Sequence, residues 1–318
     1  MKPIRLAAAA VVFGLVMVWL AFAFERSGLV LGTATGFPRV FASFVLLVAP
    51  LWFAGFGAAD ACQRLPARTQ VLGAGLLALP YFVFSLDTAD FSWNAAVRVI
   101  AFPLVLAAFL KFSNLPPRMT WRDGVVLALI VAAYFLEWFG GAWRYRALAL
   151  FPKLFLADVA LYCFLIIRPV DAGYSLRPSR SAVVVGIREW ALYFPFALLL
   201  GELTGFIHFH DLLPDWRKAL GAVLGTFLLI AIPEELFFRG ILQSLVETRW
   251  GPRSALLLSA VLFGLSHFHH GSAFNWRYVL LASIAGIFYG RAWRAHRQIF
   301  AAIVTHTMVD VVWSLWFR

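Results

Sequence analysis

Three short clusters near the end of the chain hold side chains able to do acid–base chemistry on a water molecule. Pro233-Glu234-Glu235 is followed by Arg239, Phe263 by His267, and His306 by Asp310. A carboxylate can take a proton from water, and an imidazole can hold that water or donate to a developing oxyanion. A guanidinium can pair with a second carboxylate. All of them lie inside long apolar runs. A charge near the middle of a membrane helix costs about 2.5–3.5 kcal/mol on insertion scales, so each is a functional candidate by default.

Helical spacing gives the two glutamates different jobs. Glu235 and Arg239 are four residues apart and share a face, so they can pair and offset each other's desolvation. Glu234 points about 100° away from Glu235 and has no helical partner of its own, which frees it to face a cavity. His306 and Asp310 are again four apart, on one face of the last helix. Depth agrees with spacing. Glu234 lies fifteen residues before Arg249, and His267 fourteen after Arg253. At about 1.5 Å per residue, both come out roughly 21 Å from the same basic loop, and Asp310 roughly 20 Å from Arg297. Pro233 lacks an N–H, which leaves the Leu229 carbonyl without its helical partner and predicts a kink beside Glu234. A kink there helps to open a wet cavity, where such residues are tolerable.

The elements that must position these residues are membrane helices. The chain is 62% hydrophobic and 14% charged over 318 residues, with a mean hydropathy of +0.83. Soluble domains carry about 25% charged residues. Apolar runs long enough to cross a hydrocarbon core recur at 4–24, 38–59, 69–86, 95–112, 122–138, 150–168, 187–207, 218–247, 253–270, 276–292 and 298–317. The fold class expected is therefore all-α, a polytopic bundle of about eleven transmembrane helices. Residues 60–68 and 113–122 read as loops, and the longest polar stretch, 169–186, marks a seam. It separates an N-terminal region of about six helices, 1–180, from a catalytic region, 181–318.

The formal net charge of +11 does not point to nucleic acid, because the basic residues sit mainly in short loops between apolar runs. With Lys2 and Arg5 inside, most basic loops fall on the inner side, and the N-terminus is expected to be cytoplasmic in an inner or plasma membrane. Arg144, Arg146 and Lys153 are the exception. The first run could pass for a signal peptide, but the many later spans favour an uncleaved helix. Cys62 and Cys163 belong to no metal or redox spacing.

In order, spacing and helical context, Glu234-Glu235…Arg239, Phe263…His267 and His306…Asp310 resemble the motifs of the CPBP family. That family comprises CAAX-processing and bacteriocin-processing membrane proteins and includes the type II CAAX prenyl endopeptidases. The resemblance covers roughly residues 187–317. It implies a glutamic intramembrane endopeptidase needing no metal or other cofactor and acting on membrane-associated proteins or peptides in the lipid bilayer. Glu234 would be the general base activating a water, and His267 would help to hold that water. His306 and the residue at 310 would stabilise the oxyanion. Glu235 and Arg239 would order the helix around the site, with Phe263 in support. Asparagine is the better oxyanion donor at 310, and an ionised Asp310 would repel an oxyanion. Asp310 must then be protonated, or instead orient His306; the second role is preferred.

Blander readings exist for each feature. A Glu235–Arg239 pair can be a structural staple, and a lone histidine in a membrane helix is usually a satisfied core residue. His208, His210, His269 and His270 fall at helix ends or outer loops, and Asp158 and Glu202 are costly residues with no partner to name. A transporter or proton relay is the main alternative function, although the inverted repeat that would favour it is absent. A zinc enzyme would use Glu and His ligands, but the His-Glu-x-x-His pair is missing. A catalytically silent scaffold or immunity protein is the remaining alternative.

Overall fold

The computed structural model describes residues 3–27, 36–113, 115–210, 215–268 and 274–317. Lys2, Asp211, His269, His270 and the side chain of Arg5 lie outside the described residues. The protein is an all-α polytopic helix bundle. Among the described residues the only β pairing is an isolated bridge between Phe209 and Phe317. The chain divides into two compact units, Met1–Pro169 and Val170–Arg318.

The first unit contains α1 (Pro3–Ser27), α2 (Phe37–Gly55), α3 (Ala67–Ser85), α4 (Trp93–Lys111), α5 (Trp121–Phe135) and α6 (Arg146–Ile167). On α1, Ala9, Phe13, Met17 and Leu20 are buried while Val11, Leu15, Val18 and Phe22 are exposed. Both faces are apolar, as they are on a helix whose outer solvent is lipid. The expected loop at 60–68 begins as a short helix, Ala58–Gln63. Arg144 bonds Asp90 at 2.9 Å, and the Tyr145 hydroxyl donates to the same carboxylate oxygen at 2.6 Å. Arg168 pairs with the buried Asp123 at 2.9 Å, and Asp123 also closes a capping box with Thr120. Asp158 is buried in α6 with one carboxylate oxygen unsatisfied among the described residues.

The second unit holds α7 (Arg180–Leu203), α8 (Trp216–Leu265), α9 (Trp276–His296) and α10 (Ile299–Trp316). α7 begins earlier than the apolar run at 187, because Ser179 caps it by accepting from the Ala182 N–H at 3.1 Å. Gly251, at φ +78°, breaks α8 into α8a (216–250) and α8b (252–265). Eight described runs are long and apolar enough to cross a membrane, with α8 counted once. α5, at 15 residues, is short of the ~20 a span needs, and α9 carries Arg277, Arg291 and Arg294 within its 21 residues.

An extended segment before α7 ties the ends of three helices together. The carbonyl of Asp171 accepts from Ser244, that of Ala172 from the Trp293 indole, and that of Gly173 from the Ile299 N–H. Gly173 sits at φ +59° against the Arg297 carbonyl, where a side chain has no room. In the bundle, Thr305 of α10 donates to the Gly186 carbonyl of α7 at 3.1 Å, and the Tyr193 hydroxyl donates to the Leu281 carbonyl of α9 at 3.2 Å.

α8b and α9 approach closely at a small residue, the usual device where lipid gives helices no hydrophobic reason to associate. A Cβ on Gly264 would lie 2.5 Å from the Val279 carbonyl oxygen and 2.8 Å from the Ser283 nitrogen, both backbone atoms. Gly264→Ala is expected to push the helices apart at a cost of about 1–3 kcal/mol. Adding Ser283→Ala should not restore the loss, because the blocking atoms are backbone. Thermal unfolding in detergent checks this, and an unchanged Tm for Gly264→Ala would refute the close packing.

Candidate active site

Pro233 shapes the helix that carries the two glutamates. The turn Ile232–Glu235 is flanked by widened i→i+5 turns at Thr226–Ala231 and Leu236–Gln243. A proline cannot donate to the preceding turn and clashes with its carbonyl, and widening that turn accommodates both effects. The helix therefore carries wide turns on both sides of the glutamates.

Glu235 and Arg239 are completely buried, and Arg239 Nη1 lies 3.2 Å from Glu235 Oε1. The guanidinium is packed among rings, with its carbon 4.4 Å from the centroid of Phe263, 5.1 Å from Tyr289 and 5.8 Å from Phe238. Its Nη2 donates to the Gly286 carbonyl at 3.2 Å. Aromatic faces attract a desolvated cation, so the rings complement the single carboxylate.

His306 of α10 joins this pair to the remaining acids. Its Nδ1 donates to Glu235 Oε1 at 2.7 Å. Its Nε2 lies 3.3 Å from Asp310 Oδ2 and 3.8 Å from Glu234 Oε2. Tyr289 stacks on the imidazole at 4.6 Å and 16°, and Phe263 meets it edge-on at 5.6 Å. The imidazole is nearly sealed, but the Glu234 and Asp310 side chains remain 35% and 31% exposed. These two acids can therefore meet water or substrate.

His267 comes from the end of α8b. Its Nδ1 donates to the Phe263 carbonyl at 2.8 Å, with Ser266 Oγ 3.2 Å away. A carbonyl can only accept, so Nδ1 carries a proton and, in the neutral ring, Nε2 is the acceptor nitrogen. Its ring lies 4.8 Å from Phe263 and 4.9 Å from Tyr278.

All seven candidates are thus joined by direct contacts, six through His306, Arg239 and Phe263 and the seventh, His267, through Phe263. Beside them lies a cavity of about 80 Å³, lined by His267, His306 and Asp310 and by aromatics including Tyr193, Tyr278 and Trp313. It has room for several waters. Glu234 is not among the lining residues and reaches His306 from α8a. Among the described residues, no three His, Cys, Asp or Glu side chains are grouped to hold a metal ion. Glu202 and His208 are exposed.

The family comparison falls on this same stretch. Residues 216–312 match the family described as type II CAAX prenyl endopeptidase Rce1-like. This part of the chain is Rce1-like. Neither a curated protein nor a solved structure matches the chain. The Rce1-like segment runs from the start of α8 into α10 and contains all seven candidate residues. The family is one of endopeptidases, and the resemblance seen in the motifs points to the same group.

Sequence reasoning missed two features of the Rce1-like segment. One is the bond from Glu235 to His306, because the pairing crosses helices and no spacing encodes it. The other is Tyr289, which touches both Arg239 and His306. Its signal is faint, one hydroxyl-bearing ring in a chain with 8 tyrosines and 32 phenylalanines. Arg239→Gln should cost about 3 kcal/mol, because it leaves Glu235 buried without its cation. Glu235→Gln/Arg239→Gln should be less destabilised than Arg239→Gln alone. Unfolding in detergent compares them, and a double variant showing the full sum of both single losses would refute the coupling.

Proposed function

We propose that the chain is an intramembrane endopeptidase that hydrolyses peptide bonds in membrane-associated proteins or peptides by means of a glutamate-activated water. The observation that carries this reading is His306 Nε2, which faces Glu234 at 3.8 Å and Asp310 at 3.3 Å beside a cavity that also meets His267. The endopeptidase family matched by residues 216–312 supports the same reaction class.

In this mechanism a water sits between Glu234 and Nε2 of His267. Glu234 takes a proton as the water oxygen bonds to the peptide carbonyl carbon. The carbonyl π pair moves to oxygen, and the resulting oxyanion is met by an N–H of His306. Glu234 then returns its proton to the departing amine as the C–N bond breaks. Glu235 and Arg239 hold His306 in place without touching substrate. Asp310 restrains the Nε2 side of the same ring until the substrate carbonyl displaces it. The reaction needs no metal.

Cleavage of lipidated C-terminal peptides by protein reconstituted in vesicles, read by mass spectrometry, tests these roles. Glu234→Gln should abolish turnover, and retained activity would overturn the proposal. Asp310→Asn should lower the maximal rate about ten- to a hundredfold if the carboxylate orients His306. A variant at least as fast as the parent would make residue 310 an oxyanion donor instead. Turnover should also survive exhaustive chelation. Loss that Zn²⁺ restores would place the enzyme in a different mechanistic class.

A further inference from the structure

Away from the catalytic cluster, the second unit buries another carboxylate between two arginines. Glu189 of α7 is 1% exposed at its side chain. Its Oε1 accepts from Arg188 Nη2 at 2.7 Å and Nε at 3.2 Å, and its Oε2 meets Arg291 Nε of α9 at 2.9 Å. The arginine side chains are 55% and 47% exposed. One carboxylate is thus shared by two guanidiniums, which leaves a formal charge of +1. Among the described residues, Arg188 Nη1 and both Nη atoms of Arg291 have no hydrogen-bond partner. A staple between helices needs only one arginine. Two, held side by side with spare donors, make a fork for a tetrahedral oxyanion.

The surface next to this fork is apolar and lipid-facing. Arg188, Leu192, Phe196, Leu199 and Leu203 follow one another at helical spacings of four, four, three and four, and all are exposed. Arg291 stacks over Phe288 at 5.4 Å, and Phe288 lies 5.9 Å from Phe196. The α7–α9 seam therefore runs from a cationic head into an apolar track. The head lies near the basic ends of both helices, where Arg180 and Arg294 also sit.

We propose that Arg188 and Arg291, preset by Glu189, bind the phosphate of an anionic phospholipid whose acyl chain lies along the exposed face of α7. A soluble phosphate would satisfy the fork but leave the apolar track unused. The site bears on the cavity through Tyr193, one turn beyond Glu189, which lines that cavity and bonds α9 at Leu281. A lipid here would brace the α7–α9 wall.

The test uses the full chain in phosphatidylcholine nanodiscs with or without phosphatidylglycerol. Phosphatidylglycerol should raise the unfolding temperature of the parent. Arg188→Gln/Arg291→Gln should lose most of that gain and bind phosphatidylglycerol about tenfold more weakly. Arg249→Gln/Arg253→Gln, which removes basic residues elsewhere, should keep the gain. Inorganic phosphate added to phosphatidylcholine discs should not reproduce it, and an equal gain from phosphate would overturn the lipid assignment. If the glutamine variant fails to fold, Arg188→Lys/Arg291→Lys keeps the charges but not the forked donors. Native mass spectrometry should then find phosphatidylglycerol retained by the parent and lost from the lysine variant. Equal retention by the two, or a parent indifferent to phosphatidylglycerol, would overturn the proposal.

Discussion

A guanidinium and a carboxylate with no exposed surface must find all their partners inside the protein, and at Arg239 and Glu235 this requirement draws on four separate stretches of chain. The ion pair itself lies within one helix at i, i+4. It is incomplete there, since a carboxylate has more acceptor positions than one N–H fills and a guanidinium has five donors. α10 supplies His306 to the carboxylate, α9 supplies the Gly286 carbonyl and the Tyr289 ring, and α8b supplies the face of Phe263. Each helix that satisfies the pair is thereby fixed in rotation and height. Lipid gives helices little reason to prefer one rotation over another. Buried charge supplies that preference, because any other arrangement strands an ion at several kcal/mol.

Two adjacent glutamates can then be held in different environments. A step of about 100° turns Glu234 away from the locked pair and leaves it 35% exposed, while Glu235 is sealed. Burying both would seal two carboxylates against one guanidinium and one imidazole. Exposing both would release His306 from its Nδ1 acceptor. One acid positions the imidazole, and its neighbour faces solvent.

The bundle and much of this cluster were legible in the sequence because their causes are periodic. Apolar runs near 20 residues mark spans, and i, i+4 spacing pairs Glu235 with Arg239 and His306 with Asp310. Other features depend on tertiary neighbours and carry no period. The Glu235–His306 bond is 71 residues long in sequence. The polar stretch at 169–186 reads as a seam, yet its carbonyls accept from two side chains and one backbone N–H on three helices, and its last residues are helical. Arg144 looks out of place by the distribution of basic loops, but Asp90 answers its charge and the Tyr145 ring lies under its guanidinium. Charge rules count residues, whereas the structure pairs them.

The position of residue 310 bears most directly on the chemistry. An orienting carboxylate is usually imagined on the nitrogen remote from substrate, and in this cluster Glu235 already holds that nitrogen, Nδ1, at 2.7 Å. Asp310 sits on the other nitrogen at 3.3 Å, the side that also faces Glu234. In the proposed mechanism, a substrate carbonyl reaching Nε2 must share it with Asp310 or displace it. Sharing places two negative oxygens at one donor once the oxyanion forms, and that is tolerable only if a proton lies between them. Displacement costs less, because Asp310 is 31% exposed and can swing into the cavity it lines. On this view Asp310 keeps Nε2 occupied until substrate arrives, while Glu235, sealed with Arg239, keeps the ring from turning when Asp310 leaves.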